Sequence, residues 1–104
     1  MSKVSGDKIL TLLGFCRKAG KLTVGTMRVT EALKENKKLL CILAEDISPK
    51  TEKELNFFAK KGRGVVMRIP FDTQKVSNAI GVKAGVVATA DEGFQKAILE
   101  GGNK

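Results

Sequence analysis

Few side chains in this 104-residue chain could carry chemistry, and their types narrow the field. There is no His, Trp or Tyr, so the commonest general base and metal ligand is missing. Two acids stand together at Glu45-Asp46, directly after the apolar run Leu39-Leu40-Cys41-Ile42-Leu43-Ala44. Adjacent carboxylates at a strand end can hold a magnesium ion, but no third carboxylate is spaced to join them. Acids in that position more commonly cap a loop or set local charge. Cys16 precedes Arg17 and Lys18, a setting that can lower a thiol pKa. It also falls on an apolar helical stripe, where inert packing is the commoner role. Cys41 lies within the apolar run, and two cysteines make no disulfide framework. No glycine loop has the spacing of a P-loop or dinucleotide site. The expectation is no catalytic residue, no metal and no cofactor; a magnesium enzyme using Glu45 and Asp46 is the weakest reading.

Two stretches suit contact instead. Gly25-Thr26-Met27-Arg28 opens a helix, and a helix N-terminus offers free backbone N–H groups and partial positive charge to a phosphate. Arg28 and Lys21 would add charge-assisted contacts, with Lys18 and Lys38 as outer positives. The plain alternative is a helix start with an exposed Met. The second stretch, Gly81-Val82-Lys83-Ala84-Gly85, puts small apolar residues between two glycines, where a polar turn is the default. Such a tip, with Ile80, Val82 and Ala84 apolar and Lys83 charged, can pack under an unstacked base. The alternative is Val82 folding back onto the core. Side by side under a positive field, the two stretches would form one RNA surface.

Charge supports that reading. Nineteen Lys and Arg against eleven Asp and Glu leave the chain at +8, which favours a polyanionic partner. The excess is also uneven. No acid occurs between Asp7 and Glu31, whereas Lys8, Arg17, Lys18, Lys21 and Arg28 all do. Nucleic acid therefore outweighs a merely solvated basic face.

These residues need elements to hold them. The run Leu39 to Ala44 is too short for a membrane span and shows no alternation, so it reads as a strand buried on both faces of a largely parallel sheet. Ligands of such sheets lie beyond the strand carboxyl ends, which adds Glu45 as a contact candidate. Ahead of it, Ile9, Leu12, Leu13 and Cys16 mark a helix from about Gly6 to Ala19, and Leu22-Thr23-Val24 a short strand. Val29, Ala32 and Leu33 face inward from the second helix. Ser48 and Pro49 start a third helix, carrying Leu55, Phe58 and Ala59, with Gly62 and Gly64 ending it. Val65 to Ile69 is a strand, and Asp72 or Thr73 caps a fourth helix with Val76, Ala79 and Ile80. Val86 to Ala90 is the last strand, and Asp91 caps a final helix that frays at Gly101-Gly102. Alternating helices and strands with these stripes predict an α/β/α three-layer sandwich on a mixed sheet of about four strands. The chain is expected to be one domain, residues 1–104, and a monomer. No apolar stretch approaches the roughly 20 residues that cross a bilayer, and no apolar leader opens the chain, so a cytoplasmic location is expected.

Several of these segments together resemble a known family. Gly25-Thr26-x-x-Val29-Thr30-x-Ala32, then Leu40-x-Ile42-x-Ala44-Glu45-Asp46, then Ala79-x-Gly81 before the last strand, are similar to the kink-turn-binding ribosomal proteins. Leu12-Leu13-Gly14-Phe15, Arg17-Lys18-Ala19-Gly20-Lys21 and Asp91-Glu92-Gly93-Phe94 resemble its bacterial YlxQ-type branch. The resemblance implies a three-layer α/β/α domain that binds a sharply kinked RNA helix beside sheared G·A pairs, with ribosomal RNA or another structured RNA as partner. It further implies that the second-helix N-terminus enters the widened groove and the last loop covers an extruded nucleotide. The family's usual Asn, Glu and Lys are here Met27, Arg28 and Glu31. Met cannot hydrogen-bond a guanine edge, whereas an Arg can read one bidentately. Glu31 would face phosphate unless it pairs with Arg28 or Lys34. The alternative function is a protein-interaction module that keeps the fold and presents Met27 and Val82 as an apolar patch.

Overall fold

The computed structural model describes residues 3–35 and 38–102. The elements run α1 (Lys3–Lys18), β1 (Thr23–Val24), α2 (Thr26–Lys34), β2 (Leu40–Leu43), α3 (Pro49–Gly62), β3 (Val65–Arg68), α4 (Thr73–Ile80), β4 (Val86–Thr89) and α5 (Glu92–Gly102). Each expected element is present. The last helix, expected to fray at its glycines, continues through Gly102.

β2 is buried at every residue, because helices cover both faces of the sheet. Leu40, Ile42 and Ala44 meet Ile9 and Leu13 of α1, Val76 and Ile80 of α4, and Ile98 of α5. Cys41 and Leu43 meet Val29 and Leu33 of α2 with Leu55 and Ala59 of α3. Successive residues of a strand point to opposite faces, so one apolar run supplies two cores. Each fully buried aliphatic side chain contributes about 1.5–3 kcal/mol.

The sheet order is β1-β4-β2-β3. β2 pairs β3 in parallel but β4 antiparallel, and β4 pairs β1 antiparallel. The sheet is thus mixed as expected but not largely parallel, and the cause lies after β3. Helix α4 has only eight residues, about 12 Å at 1.5 Å per residue. The return segment is then tied back to it: Ser77 Oγ donates to the Ala84 carbonyl at 3.2 Å and accepts from the Ala84 N–H at 2.9 Å. Gly85 ends up against Thr73, the first residue of α4. β4 therefore starts at the end of the sheet where β3 finishes, and must run the other way.

Among the described residues, side chains cap three helices. Ser48 accepts from the Thr51 N–H at 3.2 Å, Asp72 from Lys75 at 2.9 Å and Asp91 from Phe94 at 2.9 Å. The stop of α3 differs from expectation. Its left-handed residue is Arg63, at φ 64°, rather than a glycine. Gly64 is needed for space, since a Cβ there would stand 2.7 Å from Leu33 Cδ2. No helix among the described residues is long and apolar enough to cross a membrane.

Candidate nucleic-acid interface

Helix α2 begins without a side-chain cap. Gly25 precedes it at φ 101° and ψ 145°, a left-handed-side conformation that glycine adopts without penalty. Its N–H donates to Val86 O at 2.9 Å and its carbonyl accepts from Val29 N at 3.0 Å. The N–H groups of Thr26, Met27 and Arg28 thus face outward as the open first turn of a helix. Thr26, Met27 and Arg28 are exposed, Met27 to 76%.

The Val86 bond fixes this helix mouth to the start of β4, and so to the loop that precedes β4. Gly25 and Arg28 share one cleft with Val82 and Lys83, of about 700 Å³, closed by Leu22, Val24 and Arg17. Three cations and no acid line it. The two expected stretches therefore meet. Val82 is 37% exposed, an apolar tip beside a positive helix mouth, and Gly81 turns the chain into it at φ 81°.

Other candidates are placed elsewhere. Ile80 is a core residue at 4% exposure, one that α4 uses to cover the sheet. Ala84 is half-buried against the first core and bonded to Ser77. Lys21 lies toward the far end of the sheet, 3.8 Å from Asp91 and lining a separate hollow with it. Lys38 stands at that far end too, its carbonyl accepting from Gln95 Nε2 at 3.1 Å. Both were read from linear proximity to α2 or β2, and the strands carry them away. Lys18 is exposed beside the cleft, lining the neighbouring hollow that Arg17 also borders. Glu31 is exposed and forms no ion pair with Arg28 or Lys34 among the described residues.

Arg17 is the cleft residue that sequence reasoning left out of the site. Its Nη1 donates to the Ile80 carbonyl at 2.9 Å, fixing the guanidinium at the last turn of α4. The signal was available: Arg17 stands four residues after buried Leu13, one helical turn along the same stripe of α1.

Glu45 and Asp46 form a turn. Asp46 accepts from the Thr73 N–H at 2.9 Å and hydroxyl at 2.7 Å. Arg68 donates to the carbonyls of Glu45 at 2.6 Å and Ile47 at 3.2 Å, and pairs with Glu52. Glu45 is exposed at the cleft end of the sheet but does not line the cleft. The Thr73 hydroxyl, chiefly, holds the Asp46 carboxyl below its ordinary value of 3.8. A carboxyl depressed in the folded state adds stability above its unfolded pKa and loses it as pH falls through the folded one. Asp46→Asn should therefore unfold with a shallower pH dependence than the parent below about pH 5, measured by thermal melts along an acid series. Identical acid profiles would mean the Thr73 bonds do not favour the ionised form.

Burial raises the pKa of both thiols, Cys16 despite a hydrogen bond with Thr89, and Cys41 to about 11. The flanking Arg17 and Lys18 do not lower Cys16, because its sulfur points into the core.

With this geometry in hand, comparison with known proteins gives consistent matches. The model of the Ribosomal protein L7Ae/L30e/S12e/Gadd45 family matches residues 7–99. Large ribosomal subunit protein eL30 of Yarrowia lipolytica is 28% identical over 94 residues, covering 88% of this chain and 86% of that protein. A Bacillus halodurans protein of unknown function superposes with a TM-score of 0.84 at 26% identity, covering 93% of this chain and 98% of the other. A Giardia lamblia 15.5kD RNA binding protein superposes at 0.73 with 14% identity, covering 95% and 85%, and shares the fold.

Proposed function

We propose, from the premise that this chain belongs to the Ribosomal protein L7Ae/L30e/S12e/Gadd45 family, that it binds structured RNA of kink-turn type through the α2 mouth and the loop before β4. The family is one of ribosomal proteins, so the chain is not an enzyme. Its relationship to eL30 supports a ribosome-associated role in the cytoplasm, and the Bacillus neighbour is compatible with the YlxQ-type branch.

One observation carries the reading: Gly25 and Arg28 of the uncapped α2 mouth line the same acid-free cleft as exposed Val82 and Lys83. Phosphate would meet the amides of Thr26 to Arg28 and the side chains of Arg17, Arg28 and Lys83. A nucleotide released from the helix would rest on Val82. With Met27 in place of an amide side chain, base readout passes to Arg28, whose fork matches a guanine edge. Lys18 extends the positive rim. The domain acts as a monomer, RNA bridging two of its loops without a second copy.

A gel-shift titration against a kink-turn duplex tests this. Affinity should fall steeply with salt, with a log–log slope of about −2 to −4 if each of four cations releases somewhat less than one counterion. A flat salt response would remove phosphate contact from the reading. Met27 is the observation behind a protein-docking alternative, which predicts partner capture that survives nuclease and high salt.

A further inference from the structure

A second hollow adjoins the cleft, between α1 and α4. It measures about 570 Å³, within the range of small-ligand sites. Its floor is backbone: Gly14 lets α1 approach so closely that a Cβ there would stand 2.8 Å from the Ala79 carbonyl oxygen. Its wall carries Phe15, 56% exposed, and Asn78, also exposed. Arg17 and Lys18 stand at the rim, and none of its lining residues is acidic.

We infer that this hollow is a nucleotide subsite, in which Phe15 stacks on an unstacked RNA base, Asn78 meets the base edge, and Arg17 and Lys18 hold the flanking phosphates. The inference rests on the RNA-binding reading and extends its footprint by one nucleotide. Three observations favour RNA over a protein segment. The hollow is continuous with the cleft, because Arg17 lines both. An aromatic face beside two cations and no acid matches a base joined to phosphates. The Asn78 side chain makes no hydrogen bond among the described residues, leaving its donor and acceptor for a base edge. Arg17 is preorganised for the task. One of its five N–H donors is spent on Ile80, which holds the planar fork between the two hollows.

The chain has no Trp or Tyr, so a kink-turn duplex carrying 2-aminopurine at each unpaired position in turn reports stacking with little protein background. One position should lose fluorescence on binding. Phe15→Leu keeps apolar bulk without a π face, and should abolish that loss and weaken binding on the order of 5- to 150-fold, the range for one stacked base. Phe15→Tyr should retain both signals. Asn78→Ala should weaken binding several-fold with the quench retained. Since Phe15 and Asn78 are exposed, thermal melts of the variants should match the parent. Parental affinity and quenching in Phe15→Leu would overturn the subsite. If Arg28→Ala still weakened binding in that series, the cleft reading would stand and only the subsite would fall. A parent that binds no kink-turn duplex would remove both.

Discussion

Arg28→Glu is expected to lower affinity for a kink-turn RNA by about 100-fold or more at moderate salt, while leaving the fold as stable or slightly more so. The opposite signs make the substitution diagnostic. Arg28 is in the first turn of α2, lines the cleft and is exposed. It forms no ion pair among the described residues, Glu31 included, so its full charge is available to a ligand. Losing a hydrogen bond to a charged partner costs about 1.5–3 kcal/mol, roughly 10- to 150-fold, and the new carboxylate adds repulsion. Within the protein, an acid at a helix N-terminus is favourable by about 0.3–1 kcal/mol. Arg28→Ala should weaken binding less and reduce the salt slope by about one. Titrations and melts of both variants decide the matter. Undiminished binding by Arg28→Glu would exclude this helix mouth as a phosphate contact.

The sequence made the layers legible because single residues carried double information. The unbroken run from Leu39 to Ala44 could only be covered on both faces, and helical stripes with 3.6-residue spacing supplied both covers. The caps Ser48, Asp72 and Asp91 were readable because each has a local mechanism, a side-chain oxygen accepting from an N–H three residues on. Strand direction was less legible. It turned on Ser77 bonding Ala84, a contact across a loop that no hydrophobic period encodes. The candidate cleft divided along the same line. Gly25, Arg28 and Val82, read from helix opening and apolar tip, line it together. Lys21 and Lys38 stand away from it; nearness in sequence was taken for nearness in space. A strand of even two residues separates Lys21 from Gly25, and β2 separates Lys38 from the cleft end. Ile80 shows the remaining ambiguity: an apolar residue beside a glycine loop can serve core or ligand, and here the sheet claims it.

The segment joining these parts offers the second large effect, in Gly85→Ala. Gly85 is not among the positive-φ glycines, so its backbone accepts an L side chain and any cost is one of space. A Cβ there would stand 2.5 Å from Thr73 Oγ1 and 2.8 Å from Ile47 Cδ1. The Ile47 end can swing aside. The Thr73 hydroxyl is held by Asp46 at 2.7 Å, and turning it away gives up that bond. The other escape moves Gly85 itself, against its 2.8 Å bond from the Ala44 N–H. Overpacking of this kind costs about 1–3 kcal/mol, and each kcal/mol lowers the melting temperature of a domain of this size by about 4–8 °C. Displacing Gly85 would also displace Val82 and Lys83, so RNA affinity should fall with stability. Thr73→Ala separates space from other causes: it removes the hydroxyl, so Gly85→Ala should cost less on that background, a coupling beyond about 0.5 kcal/mol in a double-mutant cycle. Strict additivity would mean the Thr73 hydroxyl is not what the new methyl meets, and would detach the loop's position from the Asp46 turn.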